Sequence, residues 1–212
     1  MKKLTANLDA YADRIRADLE KKDAAREKVL PLCRELIRYA SITIRAIHRQ
    51  EFEEAKRLLA EGKKVRESLE KATDEWRELK NHGFVRDAQK EYTEANTVFA
   101  LVNGLPLPDP DELNVEYTAY LNGLGDTVGE LRRYLLDNMR HGDLSRGEEL
   151  LSAMDDIYTT LVTMDFPDAI TGGLRHNTDA VRGILEKTRG DITLAVRQQE
   201  LERKLGQHQD PK

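Results

Sequence analysis

The sequence is poor in cysteine, proline and long apolar runs, and each shortage excludes a class of protein. Its single cysteine, Cys33, cannot form an internal disulfide, a multi-thiolate zinc site or a CxxC redox centre within one chain. A lone thiol fits a reducing compartment, so we expect a cytoplasmic protein. No segment approaches the roughly 20 consecutive apolar residues of a membrane span, so we expect no membrane association.

Common catalytic motifs are also missing. The five histidines show neither HExxH nor Glu-x-x-His spacing, and there is no GxSxG, P-loop or GxGxxG string. These absences exclude zincin-type, di-iron, α/β-hydrolase and dinucleotide-binding sites. The lysines of residues 1–5 are followed by Asp9, Asp13 and Asp18 rather than by an apolar core, which predicts neither a signal peptide nor a transit peptide.

Charge is abundant and nearly balanced. Thirty-four basic and 39 acidic residues give a formal net charge of -5. This balance excludes a uniformly basic nucleic-acid surface but permits one in which the basic residues are segregated on one face.

Apolar residues recur at spacings of three and four along most of the chain, which is the period of amphipathic helices. β-branched residues seldom alternate with polar ones, and the 6 prolines and 13 glycines gather in a few short stretches, so we predict an all-α fold. The seven predicted helices cover residues 3–22, 29–47, 52–76, 84–102, 111–140, 146–164 and a last segment from 174 onward. Helices of the same character flank the Gly104–Pro110 breaker cluster, so we predict one domain over residues 1–206 and a flexible tail over 207–212.

The second predicted helix has a one-sided basic face. Its arginines fall within roughly 60° of one another on a helical wheel, about 140° from the apolar stripe. Glu35 is the only carboxylate between Pro31 and Gln50, so the usual i,i+4 partners are missing. Arginine forks match phosphate geometry, which predicts a nucleic-acid interface; a solvated face, or one paired with acids from elsewhere, is the alternative. The candidate residues are Arg34, Arg38, Arg45, His48 and Arg49.

The fourth predicted helix has the opposite chemistry. Asp87, Glu91 and Glu94 lie at i, i+4 and i+7, and Glu91 falls inside the apolar sector of the helix. A carboxylate in a packed interface is costly unless it meets a cation, a hydrogen-bond donor or a metal. Mg²⁺ or Mn²⁺ suits such oxygen ligands, whereas an arginine from a neighbouring helix would satisfy them equally well.

Two later groups of acids differ in their expected role. Asp156, off the apolar stripe of the sixth predicted helix, is a candidate third ligand from another element. Asp126, Glu130 and Arg133 share an outward face and are expected to form surface pairs.

Four segments in order resemble the translin/TRAX family over nearly the whole chain. Residues 34–49 are similar to its basic second-helix signature, and residues 89–95, QKEYTEA, to the EYxEA motif of the TRAX branch. Residues 120–133, YLNGLGDTVGELRR, resemble YLxGxxDLTGELxR, and a Gly142-Asp143 turn follows.

The resemblance implies a seven-helix subunit that assembles into a hollow, roughly octameric homo-oligomer and binds single-stranded RNA or DNA inside it. For the TRAX branch it further implies Mg²⁺-dependent endoribonuclease activity, with Glu91, Glu94 and a later aspartate as catalytic metal ligands. The family position for that aspartate falls near Thr159, and Asp156, one turn earlier, is the expected substitute. The alternative is a non-catalytic, translin-like binding protein.

Overall fold

The computed structural model describes residues 4–208 as helices joined by short connections. No strand forms within these residues, which confirms the all-α prediction. Six long helices build the fold, and three single-turn helices lie between them. In chain order the elements are α1 (Leu8–His48), α2 (Phe52–Thr73), α3 (Arg77–Lys80), α4 (Gly83–Val102), α5 (Pro110–Leu113), α6 (Tyr117–Arg140), α7 (Gly147–Val162), α8 (Asp168–Thr171) and α9 (Leu174–His208).

The first two predicted helices are one continuous helix, which corrects the predicted count of seven. α1 has 41 residues and is therefore about 60 Å long. Pro31 lies inside it, where a proline costs about 3 kcal/mol. Val29, Cys33 and Leu36 are fully or almost fully buried around it, and their packing offsets that cost.

The N-terminal part of α1, residues 8–22, forms an arm that is largely exposed to solvent. Its apolar stripe contributes no buried side chain, because the first buried residue of α1 is Val29. Lys22 ion-pairs with Glu78 of α3 at 3.3 Å, where the arm reaches the rest of the chain. The exposed apolar residues of the arm are Leu8, Tyr11, Ile15 and Leu19.

α1 packs along α2 and α4, α4 packs along α6, and α6 and α7 pack against α9. The larger apolar cluster joins the C-terminal end of α1 to α4, α6, α7 and α9, with Ile47, Leu131 and Met154 in its interior. A smaller cluster around Leu36 and Leu69 joins the middle of α1 to α2 and α4. α4 contributes residues to both clusters and also packs along α6.

Two boundaries differ from the sequence prediction. The predicted helix 111–140 is split into α5 and α6, because Asn114 adopts a left-handed conformation with φ 53° that ends α5. α9 continues to His208, so the predicted tail starts inside a helix, and residues 209–212 lie outside the described residues. No helix of residues 4–208 combines the length and the apolar composition that a membrane crossing requires.

Candidate functional site

Small and polar residues form the contact between α4 and α6. Thr93, Thr97 and Thr127 are fully buried, and the hydroxyls of Thr97 and Thr127 are hydrogen-bonded at 2.5 Å. A Cβ on Gly123 would lie 2.7 Å from Thr93 Cβ and 2.8 Å from the Lys90 carbonyl oxygen, so only glycine fits at this close approach. The acidic residues of the two helices are therefore brought within reach of one another.

Three carboxylates meet beside this contact: Glu91 and Glu94 of α4 and Asp126 of α6. Each offers one oxygen, and these oxygens all lie within 4.8 Å of one another. Glu94 is buried, with 8% of its surface exposed, whereas Glu91 and Asp126 are half-buried. We call these three residues the carboxylate cluster; among residues 4–208 it is the one group of acids, histidines and cysteines spaced to hold a metal.

Burial and the repulsion of neighbouring carboxylates disfavour the ionised forms of Glu91 and Glu94. Burial, followed by the charges of Glu91 and Asp126, raises the pKa of Glu94 to about 8. Burial also raises the pKa of Glu91, against the opposing charge of Lys90. Full ionisation of the cluster would therefore place more negative charge there than its surroundings compensate, and a bound cation would supply the missing positive charge.

Two side chains hold Asp126 in place. Lys90 Nζ lies 2.7 Å from Asp126 Oδ2 and 3.9 Å from Glu91 Oε1. Asn177 of α9 donates through Nδ2 to Asp126 Oδ1 at 3.2 Å. These contacts fix the carboxylate, but one ammonium group leaves the pKa of Glu94 strongly raised.

His48 does not belong to an open nucleic-acid face, in contrast to the sequence prediction. Only 6% of its side chain is exposed, and its Nε2 is hydrogen-bonded to Glu130 Oε2 of α6 at 2.5 Å. This hydrogen bond is the main reason that the pKa of Glu130 is lowered. Glu130 in turn contributes to the raised pKa values of Glu91 and Glu94. His48 therefore contacts α6 beside the carboxylate cluster. Ile44 and Ile47 pack into the core on the same side of α1 and leave its ring facing Glu130.

We expect His48→Ala to lower the free energy of unfolding by about 2 kcal/mol, because it removes the hydrogen bond to the half-buried Glu130 carboxylate and leaves only Arg133, at 3.8 Å, beside it. Arg49→Ala, the exposed neighbour, is the matched control and should change it by less than about 0.5 kcal/mol. Urea denaturation of the three proteins measures the difference. Equal destabilisation of both variants would contradict a specific role for the His48–Glu130 pair.

The four arginines of the basic face are exposed along α1 and at its C-cap, and we call them the arginine stripe: Arg34, Arg38, Arg45 and Arg49. Arg38 makes a loose pair with Glu35 at 3.4 Å and lies over the Tyr39 ring at 4.8 Å. Arg45 Nε donates to the Ser41 carbonyl at 3.2 Å. Within residues 4–208, Arg34, Arg45 and Arg49 have no carboxylate within ion-pair distance. Most of the stripe is thus available to an anionic partner.

Comparisons with known proteins identify the family of this chain. No family model matches the chain. Uncharacterized protein MJ0175 of Methanocaldococcus jannaschii is 33% identical over 180 residues, 84% of this chain and 79% of that protein. A structure of AfC3PO in complex with duplex RNA is 34% identical, covers 87% of this chain and 96% of its own, and superposes with a TM-score of 0.80. The chain belongs to the translin/TRAX family. AfC3PO crystallised by itself gives 34% identity and a TM-score of 0.79, and apo-NeC3PO, at 17% identity and a TM-score of 0.77, shares the fold.

Within this translin/TRAX chain the third carboxylate of the cluster is Asp126, and Asp156 lies elsewhere. Asp156 is exposed on α7, as is Thr159 one turn later, and neither is part of the cluster. The reason is the packing of α4, which runs along α6 and touches α7 only slightly. The neighbouring Asp155 ion-pairs with Arg189 of α9 at 2.9 Å.

The sequence predicts surface pairs among Asp126, Glu130 and Arg133, and Glu130 does pair with Arg133 at 3.8 Å. The prediction is wrong for Asp126, which faces α4. α6 buries a second face against α4, and this face is made of Gly123 and Thr127 rather than of large apolar residues. A hydrophobic pattern does not detect such a face. The available signal was the glycine-rich segment 120–133 itself, since glycine inside a helix indicates a close approach.

Proposed function

We propose that this translin/TRAX chain is a metal-dependent endoribonuclease that hydrolyses single-stranded RNA. The observation that carries the proposal is the carboxylate cluster, in which three acids from two helices lie within 4.8 Å and one of them is buried. Such an arrangement is unfavourable for a protein without a bound cation. A catalytic role repays that cost.

The donor set fits a hard divalent ion. All three ligating groups are carboxylates, which Mg²⁺ and Mn²⁺ prefer, and no sulfur or imidazole ligand is present in the cluster. Glu91, Glu94 and Asp126 would hold the ion. When bound, it supplies a Lewis acid for a phosphate oxygen and lowers the pKa of an attacking water.

The protein's own side chains then have distinct tasks. Lys90 and Asn177 orient Asp126, and the buried Thr93–Gly123 contact keeps α4 and α6 at the distance that the cluster needs. In the reaction a water oxygen bonds to phosphorus while the bond from phosphorus to the leaving oxygen breaks. The water gives up a proton, and the leaving oxygen takes one.

Non-catalytic RNA binding is the second candidate, and one observation favours it. Lys90 Nζ lies 2.7 Å from Asp126, so an ammonium group already compensates part of the cluster charge. A chain that uses lysine in place of a metal would bind RNA through its arginine stripe without cleaving it. Binding of Mn²⁺ by the intact protein, measured by calorimetry, discriminates the two candidates.

The test of catalysis is incubation of the full chain with labelled single-stranded RNA. We expect cleavage with Mg²⁺ or Mn²⁺, none with EDTA, and slower cleavage of duplex RNA and of single-stranded DNA. RNA binding without any metal-dependent product would select the second candidate.

The duplex RNA complex of AfC3PO supports RNA binding by this chain, and we propose that the arginine stripe is the surface that binds it. We expect Arg45→Glu to weaken the binding of a 20-nucleotide RNA in EDTA by at least about tenfold and to reduce its salt dependence. Arg203→Glu, exposed near the C-terminal end of α9, is the control for the charge change and should stay within about twofold. Fluorescence anisotropy over a series of salt concentrations measures both, and equal effects of the two variants would contradict the assignment.

Self-association is part of the proposal. The arm of α1 exposes apolar side chains that the described part of the chain leaves uncovered, and Leu194, Leu201 and Leu205 of α9 are exposed as well. A second copy of the chain would bury such surface. We propose a hollow homo-oligomer of about eight subunits, as the family resemblance implies, and light scattering of the intact protein measures the number.

A further inference from the structure

A polar cavity of about 510 Å³ adjoins the carboxylate cluster. Its walls come from the first turns of α4, the N-terminal half of α6 and the start of α9. Asp126 belongs both to the cavity wall and to the cluster, so the two sites are continuous. A ligand held in the cavity would therefore lie beside any group bound by the cluster.

The charges on the cavity wall are unevenly compensated. Lys90 Nζ pairs with Asp126 Oδ2 at 2.7 Å. Arg86, half-buried in the wall one turn before Lys90, has no ion pair or side-chain hydrogen bond within residues 4–208. Asp87 also lines the cavity and is exposed, but within residues 4–208 it forms no ion pair with Arg86. His176 contributes an exposed ring at the rim. Arg86 is thus a cation in a concave site, and its guanidinium N–H groups have no acceptor within the described residues.

The shape of the cavity places these donors where a ligand can reach them. Gly172 borders Arg86: a Cβ at this position would lie 3.6 Å from Arg86 Nη1 and 3.9 Å from Asn122 Nδ2. Because Gly172 has φ 64°, its lack of a side chain is required by the backbone and also leaves this space open. The guanidinium group therefore faces space rather than a packed side chain.

Neutral polar groups complete the wall. Asn122 uses its Nδ2 on the carbonyls of Thr118 and Thr171, and Asn177 uses its Nδ2 on the Asn122 carbonyl and Asp126. Each amide keeps its Oδ1 as an acceptor, which suits a sugar hydroxyl. The volume lies in the range of sites that enclose a small organic ligand and exceeds what a bare phosphate ion fills.

We infer that this cavity is a nucleotide subsite for the RNA strand, in which Arg86 binds the phosphate that adjoins the cleaved linkage. The inference rests on the proposed function, because it requires that an RNA strand is bound at the carboxylate cluster. The cavity is continuous with that cluster, so the same strand can occupy both. The Arg86 fork supplies paired N–H donors to phosphate oxygens, a geometry that lysine cannot reproduce. Arg86 aligns the strand and leaves the bond-breaking step to the cluster.

The test is RNA affinity without turnover. In EDTA, the intact protein is titrated into a fluorescein-labelled 10-nucleotide single-stranded RNA, and anisotropy is followed at several salt concentrations. We expect Arg86→Gln to weaken binding about tenfold and to reduce the slope of log K against log salt by about 0.7. The matched control, Arg203→Gln, should leave both quantities at wild-type values. Arg86→Gln indistinguishable from Arg203→Gln would overturn the inference.

A second variant guards against an effect through folding. Ala180 is an exposed helical residue of α9 that lines the cavity, so Ala180→Glu adds a negative charge there without disturbing the core. We expect it to weaken RNA binding at least as much as Arg86→Gln while keeping the wild-type melting temperature. Wild-type affinity in this variant would contradict the subsite.

Free nucleotides separate this inference from the proposed function. Thermal melting of the wild type is measured with adenosine 5′-monophosphate and with inorganic phosphate. If the wild type fails to bind RNA, the proposed function is wrong. If, in that case, the nucleotide still raises the melting temperature of the wild type but not that of Arg86→Gln, the cavity is a site for free nucleotides and the assignment to an RNA strand is overturned. Loss of cleavage with intact, Arg86-dependent RNA binding would contradict only the nuclease proposal.

Discussion

Asp126→Asn abolishes metal-dependent RNA cleavage, and Asp156→Asn leaves it unchanged: this is the outcome that we expect from a matched pair of variants. Asp126 shares the carboxylate cluster with Glu91 and Glu94, whereas Asp156 is exposed on α7. Removing one of three charged ligands should slow cleavage at least about a hundredfold. Single-turnover cleavage of a labelled RNA at saturating Mn²⁺ measures the rate.

Two controls make the comparison specific. Asn retains the size of Asp, so circular dichroism should show the same helix content for both variants. RNA affinity in EDTA should not fall below that of the wild type, because the arginine stripe is unchanged and the charge removed at Asp126 is negative. Wild-type cleavage by Asp126→Asn, or loss of cleavage in Asp156→Asn, would contradict the assignment of the third ligand.

The second large effect concerns pH. Because the native pKa of Glu94 is raised to about 8, the folded protein binds a proton that the unfolded chain has released at neutral pH. Stability from this group is complete below about pH 4 and is lost as the pH rises toward 8. At about 1.4 kcal/mol for each pKa unit, the free energy of unfolding should fall by a few kcal/mol between about pH 5 and pH 8 without metal.

Glu94→Gln isolates this effect, because glutamine has nearly the same shape and does not titrate. We expect a much flatter pH dependence and, at pH 8, a more stable apo protein than the wild type. Added Mn²⁺ should restore the stability of the wild type at pH 7.5 while releasing protons, and should act far less on Glu94→Gln. Glu148→Gln, exposed on α7, is the control that should keep the wild-type curve. Parallel curves for wild type and Glu94→Gln would contradict the pKa assignment.

The sequence predicted those parts of the fold that depend on large apolar residues. The spacing of apolar residues predicts the helices α4, α6, α7 and α9. The gap expected between the first two helices, residues 23–28, was wrong, because α1 continues through it although no residue of this helix before Val29 is buried.

The candidate site was predicted on one helix and missed on the other. Glu91 and Glu94 were found because acids inside an apolar sector are unusual. Asp126 was missed since its neighbours Gly123 and Thr127 make a tight contact without large apolar side chains. His48 was misplaced for a related reason: a helical wheel gives direction around α1, but Glu130 is separated from it by 82 residues in sequence.

The continuity of α1 has a mechanical consequence. The exposed arm, His48 and three arginines of the arginine stripe belong to one continuous helix, and Arg49 follows directly as its C-cap. A neighbouring subunit that packs against the arm would therefore also fix the orientation of the arginine side chains on the same helix. The arrangement of the subunits and the path of a bound RNA strand would then both depend on how the α1 helices of neighbouring subunits are aligned.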